Sequence, residues 1–247
     1  MDGNIIIFII VGFFAQIIDG SLGMAYGVIS TTFLLSIGIP PHLASASVHT
    51  AEIFTSATSG LSHLWFGNFD KKLLKKLLIP GIIGGVLGAY ILTTVPGKMI
   101  KPFVAFYLIV MGLIILRKAL KKIQEKRAET KLIPLLAVVG GFLDAIGGGG
   151  WGTIVTSTII ARGYTPRFVI GSVNIAEFFI TVAQSATFFV TIGLVHWQII
   201  VGLIIGGVLV APLSAYVCKR IPSRALMIMV GVLVITLSIR TIYKVLL

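Results

Sequence analysis

Hydrophobic residues run along this chain in long blocks, separated by short polar stretches that hold most of the charge. The blocks extend from Asn4 to Ile18, Leu22 to Ile39, Leu43 to Phe66, Leu77 to Val95 and Pro102 to Leu116. They resume from Leu132 to Leu143, Gly147 to Ala161, Phe168 to Ile192, Trp197 to Val217 and Ala225 to Ile239. Long apolar runs of this kind read as membrane helices. The pattern predicts an all-α integral membrane protein with five segments, twice. Residues 1–120 form a first membrane repeat and 132–247 a second, joined by a basic cytoplasmic linker at 121–131.

The halves also match in their residues. Asp19 to Gly27 reads DGSLGMAYG and Asp144 to Gly152 reads DAIGGGGWG, sharing the aspartate, two glycines and an aromatic in register. VHTAE from Val48 pairs with VNIAE from Val173, and IIGGVL occurs at both Ile82 and Ile204. Five segments per unit is an odd number, so the second unit is expected upside down, as an inverted repeat. The basic residues agree. If Lys71 to Lys76 face the cytoplasm, so do the stretch from Arg117 to Lys131, Arg162 with Arg167, and Lys219, Arg220 and Arg224, which together hold 16 of the 20 Lys and Arg. Only Lys98, Lys101, Arg240 and Lys244 fall on the other side, which predicts a multi-pass protein of the plasma or inner membrane with both termini outside the cytoplasm.

Two blocks are too short to cross. Leu132 to Leu143 would make about 18 Å of helix and Asn4 to Ile18 about 22 Å, against a hydrocarbon core near 30 Å. Each half is therefore expected to open with a broken or re-entrant hairpin whose glycine tip meets its counterpart near the midplane. Full crossings would leave the charge count unchanged, so the expectation is about 8 to 10 membrane segments.

Composition narrows the classes. The chain is 57% hydrophobic and 11% charged, far from the balance of soluble domains. Its start lacks a basic region and a small-residue cleavage pattern, so Ile5 to Phe14 is read as a retained segment. The single cysteine, Cys218, leaves no internal disulfide or multi-cysteine metal site. The net charge of +12 sits at segment ends, which argues for topology rather than nucleic-acid binding.

Four of the eight acids lie inside apolar stretches or in the short gaps between their blocks, as two pairs 33 residues apart: Asp19 with Glu52 and Asp144 with Glu177, the second pair 125 residues after the first. A charge in hydrocarbon costs at least about 2.5 kcal/mol, so acids repeated at matched positions point to a polar working site. Gly20 and Gly23, and Gly147, Gly148, Gly149 and Gly150, stand where second half-helices begin, and free N–H groups at such ends favour an anion. Close helix packing is the competing reading for these glycines. Asp19 and Asp144 serve equally as helix caps, and one residue can do both. On the third segment Ser45, His49, Glu52, Ser56, Ser59 and His63 share one helical face, echoed by Asn174, Glu177, Thr181 and Gln184 on the eighth. Glu52 and Glu177 fall about 14 Å into their segments, near the midplane, where acids commonly mark ion or proton paths, a neutral Glu bonded to a neighbouring helix being the competing reading. His49 would tune or share that proton. A metal is disfavoured because the position matching His49 is Asn174, and no metal or other cofactor is expected. Tyr26 and Trp151 either wall the site or simply pack.

These motifs, DGSLGMAYG with DAIGGGGWG, GIPPHLASASVHTAE from Gly38 with GYTPRFVIGSVNIAE from Gly163, and SGLSHLWFGNFD from Ser59, resemble the sulfite exporter TauE/SafE family over nearly the whole chain. The resemblance implies a multi-pass transporter of sulfite, sulfoacetate, thiosulfate or a similar sulfur-containing anion. The expected function is proton-coupled export by alternating access, one half rocking against the other. Asp19, Ser21, Gly23, Tyr26, Ser47, His49, Asp144, Gly147 to Gly150, Trp151, Ser172 and Asn174 would bind substrate, while Glu52 and Glu177 carry protons or gate. The partners would be the anion, protons and the lipid bilayer, with homo-oligomerisation left open. An anion channel or uniporter is the alternative. An intramembrane hydrolase using Asp19 and Asp144 as a dyad is more remote, since no other catalytic part is present.

Overall fold

The computed structural model describes residues 5–120, 132–148, 150–162, 164–193, 196–218 and 223–246. The linker expected at 121–131 lies outside the described residues. The first half contains α1 (Ile5–Leu22), α2 (Tyr26–Ser36), α3 (Pro41–Trp65), α4 (Lys71–Thr94) and α5 (Gly97–Leu120). The second contains α6 (Ile133–Gly147), a π-helical segment (Trp151–Thr156) running into α7 (Ser157–Ala161), α8 (Pro166–Ile192), α9 (Trp197–Cys218) and α10 (Ser223–Leu246). Every regular element among the described residues is helical. Lys71–Thr94, Gly97–Leu120 and Phe168–Ile192 are long and apolar enough to cross a membrane.

Local chemistry explains where the helices start. Asp70 caps α4 by accepting from the backbone N–H groups of Lys72 and Leu73 at 2.7 and 3.2 Å. Pro41, Pro134 and Pro166 occupy the first turns of α3, α6 and α8, where a missing N–H costs nothing. Both opening helices are longer than their apolar blocks. Helix α1 continues through Asp19 to Leu22, and α6 through Asp144 to Gly147, because each aspartate sits in the last turn and bends forward to serve the next helix.

Helices of one half lie on helices of the other, through glycines that admit backbone to backbone. A Cβ at Gly84 would overlap the Val138 carbonyl oxygen, one at Gly88 would meet that of Phe142, and one at Gly141 that of Gly81, so α4 lies along α6. Gly206 fits likewise against Ile9, Gly202 against Ile5 and Phe8, and Gly12 against Leu203, which seats α1 on α9. Helix α5 meets α10 at Gly112 and Gly231. Helices α3 and α8 run antiparallel, Gly171 facing His63, Gly60 facing Ile175, and the His49 ring facing Phe188. Small residues at these seams match the way membrane helices associate without a hydrophobic driving force.

The outward faces are apolar. Ile79, Ile83, Leu87, Tyr90 and Ile91 of α4 are exposed at helical spacing, as are Ile6, Ile7, Ile10, Phe13 and Phe14 of α1. These stripes suit lipid. The inner apolar residues form one large cluster around α2, α3 and α5 and a smaller one around Trp151, Val155 and Ile180.

Substituting Gly84 by Ala should lower thermal stability in detergent by about 1–3 kcal/mol, because the added methyl forces α4 off α6. Gly97→Ala, whose Cβ would meet nothing nearer than His42 at 3.5 Å, should change it by less than about 0.5 kcal/mol.

Candidate functional site

Two chain breaks build the centre. Between α1 and α2 the backbone turns at Gly23 (φ +67°) and Ala25 (φ +98°); after α6 it turns at Gly148 (φ +68°). Both breaks close in the same way. The N–H of Gly23 donates to the Asp19 carbonyl and that of Gly148 to the Asp144 carbonyl, each at 2.6 Å. The Asp19 carboxylate then accepts from the Tyr26 N–H at 3.3 Å, and the Asp144 carboxylate from the Trp151 N–H at 3.1 Å. Each acid thus caps the positive end of the half-helix that follows it, seven residues on.

The two breaks touch each other. A Cβ at Gly27 would overlap the Gly148 carbonyl oxygen, and one at Gly152 would meet Met24 Cα at 2.8 Å and the Gly23 carbonyl at 3.0 Å. These contacts are mates under the 125-residue repeat, Gly27 with Gly152 and Gly23 with Gly148. The glycine run therefore has specific steric reasons. Gly147 carries the Tyr107 ring, Gly148 faces Thr31 Oγ1, and Gly150 lies on the backbone of Asp144. Gly149 and the Ser21 side chain lie outside the described residues.

Around the crossing, the polar stripe of α3 faces inward. Ser45, His49, Glu52 and Ser56 are buried, and Glu52 Oε1 stands 3.1 Å from where a Gly27 Cβ would be. His49 Nδ1 lies 2.8 Å from the Ser45 carbonyl, which can only accept, so Nδ1 carries a hydrogen. Its Nε2 lies 3.2 Å from Asp144 Oδ2 and 3.9 Å from Glu52 Oε2. A hydrogen bond between Nε2 and a carboxylate oxygen requires a further proton, whichever partner owns it. Gln184 of α8 donates to the same Oδ2 at 3.2 Å and to the Gly141 carbonyl at 3.3 Å. Ser45 Oγ donates to the Ala145 carbonyl, a second bond from α3 to α6.

The matched position behaves differently. Asn174 is buried but turns its Nδ2 onto the Ile170 carbonyl of its own helix, at 2.9 Å. Glu177 is half-buried in mid-α8, whereas Glu52, at the matched place in α3, is buried. Ser47 Oγ donates to Leu43 in its own helix. Ser172 Oγ accepts from the Asp70 N–H at 2.8 Å and bonds the Phe168 carbonyl, so it ties the start of α4 to α8 instead of joining the glycine crossing. Tyr26 and Trp151 lend their N–H groups to the capped turns, while their side chains anchor outward, Tyr26 Oη to Leu203 O at 3.1 Å and Trp151 Nε1 to Val173 O at 3.2 Å.

A family model described as sulfite exporter TauE/SafE matches residues 8–241. The chain belongs to this family. It is 43% identical to the probable membrane transporter protein YtnM of Bacillus subtilis (strain 168), across 97% of this chain and 83% of that one. It is 27% identical to the probable membrane transporter protein ORF9 of a Sinorhizobium species, across 74% of this chain and 66% of that one. No solved structure matches. This TauE/SafE chain is a membrane transporter by family.

Three contributors to the centre of this TauE/SafE protein escape the sequence pattern. Gln184 shows as part of a polar stripe but not as a ligand of Asp144. Tyr107 has no signal, being one aromatic in an apolar block. Lys118, read as part of the solvated basic stretch, belongs to α5, and its Nζ donates to the Thr153 carbonyl at 2.6 Å and to Ser157 Oγ. A long stem with a charged tip thus reaches a carbonyl of the π-helical segment.

His49→Ala should cost about 3–5 kcal/mol in thermal unfolding, because it leaves Asp144 short of its partner across the halves. Asn174→Ala should cost about 1 kcal/mol, as it removes only a bond within one helix.

Proposed function

We propose that this protein is a secondary transporter that exports a small sulfur-containing anion, such as sulfite, thiosulfate or a sulfonate, coupled to protons and working by alternating access. The observation that carries the reading is the pair of carboxylates, Asp19 and Asp144, seated on half-helix N-termini where the glycine tips cross. Those N–H groups are the natural ligands of an anion, and a resident carboxylate competes for them. Protonating the carboxylate weakens its hold as an acceptor and removes the like charge that a substrate anion would meet. Binding of anion and proton is then linked through the capping carboxylates themselves.

The pair His49 and Asp144 supplies a proton-holding contact at this point, with Glu52 beside it. Glu177, at the matched depth of α8, is the second acid of the proposed proton route. The family match supports the transporter class and the substrate chemistry. We read the fold as an inverted repeat, since α3 opposes α8 while the α1–α9 and α4–α6 seams exchange under the repeat. In each half, we read the short second helix as the return of a re-entrant hairpin. Cytoplasmic placement of the basic loops would leave both termini outside, in the cell membrane. Because seams cross between the sequence halves, the rocking bodies would be mixed, α1 moving with α9 and α4 with α6. The aspartates act as caps in this reading, which leaves no free dyad for hydrolysis.

Uptake of sulfite, thiosulfate and sulfoacetate into proteoliposomes, with and without a pH gradient, tests this. Gradient-dependent accumulation is expected, whereas rapid equilibration indifferent to the gradient would indicate a channel. Asp144→Asn keeps an acceptor for the Trp151 N–H but removes the charge, so its anion affinity should lose most of its pH dependence. Glu52→Gln and Glu177→Gln should each abolish accumulation while leaving downhill flux. Wild-type pH dependence in Asp144→Asn would sink the competition mechanism.

A further inference from the structure

Two hydroxyls and one carboxylate oxygen beside the crossing make no hydrogen bond. Among the described residues, Thr31 Oγ1, Tyr107 Oη and Glu52 Oε2 are buried atoms that find no hydrogen-bond partner. All three side chains converge on one place. Thr31 Oγ1 lies against Gly148, the Tyr107 ring lies on Gly147, and Glu52 Oε1 borders Gly27, which itself packs on the Gly148 carbonyl. They come from α2, α5 and α3, so nothing local in the chain groups them. A helix threonine normally returns its hydroxyl to the carbonyl four residues back, as Thr50 and Thr181 do here at 2.7 and 2.9 Å. Thr31 does not. Buried polar atoms are nearly always satisfied, so three unsatisfied ones on side chains that border the glycine tips need a partner, and water or a bound oxyanion can supply it.

We propose that Thr31 and Tyr107 are substrate-contacting residues, donating their hydroxyls to the oxygens of the transported oxyanion when the tips part. This rests on the transport reading and adds the ligand set to it. Two hydroxyl donors from different helices suit a substrate with several acceptor oxygens on one centre, as in sulfite or a sulfonate group. They select less well for a halide, which offers no separated oxygens. The crossing thereby gains donors beyond the half-helix N–H groups that Asp19 and Asp144 occupy.

Tyr107→Phe and Thr31→Val remove one hydroxyl each with little change in shape. In proteoliposome uptake, KM for sulfite or a sulfonate should rise about tenfold in each variant, with maximal rate kept within about twofold. On purified protein, the thermal shift induced by the anion should shrink in parallel, while the unliganded melting temperature stays near wild type. Wild-type KM in both variants, with wild-type protein transporting normally, would overturn the assignment. Should wild-type protein carry no oxyanion at all, the transport reading itself falls, and this ligand set with it. If Tyr107→Phe fails to fold, Thr31→Val alone decides the matter by the same two readouts.

Discussion

A helix interrupted in a buried, apolar place leaves backbone N–H and C=O groups that its surroundings cannot satisfy, and the rest of this structure follows from how two such interruptions are resolved. Each break is closed by an aspartate at the end of the incoming helix, which bonds the first N–H of the outgoing one. The freed backbones then lie on each other at Gly27 against Gly148 and Gly152 against Gly23. Only glycine permits that approach. Once the tips are joined, α3, α5 and α8 can surround them, and the polar stripes of α3 and α8 acquire something to face.

The two halves resolve the same problem with different side chains. On one side, Asp144 is held by Trp151 N, His49 and Gln184; on the other, the histidine is replaced by Asn174, which bonds its own helix. The half-helix after the second break is π-helical and takes Lys118 on the Thr153 carbonyl, whereas α2 is regular α-helix. A duplicated scaffold thus keeps its shared geometry in backbone and caps, and places its differences in the groups that handle charge. That division suits the proposed alternating-access carrier, whose two access states need not be equal in energy.

Much of the fold is written in the chain. The apolar blocks mark the helices, the DGSLGMAYG and DAIGGGGWG stretches mark the breaks, and acids in apolar surroundings mark the centre, because each of these is costly unless something compensates it. What the repeat reveals is equivalence, not contact. Position 49 corresponds to position 174, yet His49 meets Asp144, 95 residues away, and no periodicity announces that pairing. Ser172 illustrates the converse: a plausible site residue by its neighbourhood in sequence, it is engaged with Asp70 at a helix start. Tyr107 and Gln184 are ordinary members of their helices until the tertiary fold brings them to the tips.

The seams between halves also shape how the protein is made. Gly12 of α1 rests on Leu203 of α9, 191 residues later in the chain. At ordinary translation speeds of about 5–20 residues per second, α1 waits on the order of tens of seconds for the surface it is built to meet. During that interval its glycine face lacks the partner it has in the finished fold. The five-helix unit is in this sense unfinished by itself, as each copy supplies the seat for the other's first helix. Such reciprocal seating is the kind that two separate copies of the unit would make on each other.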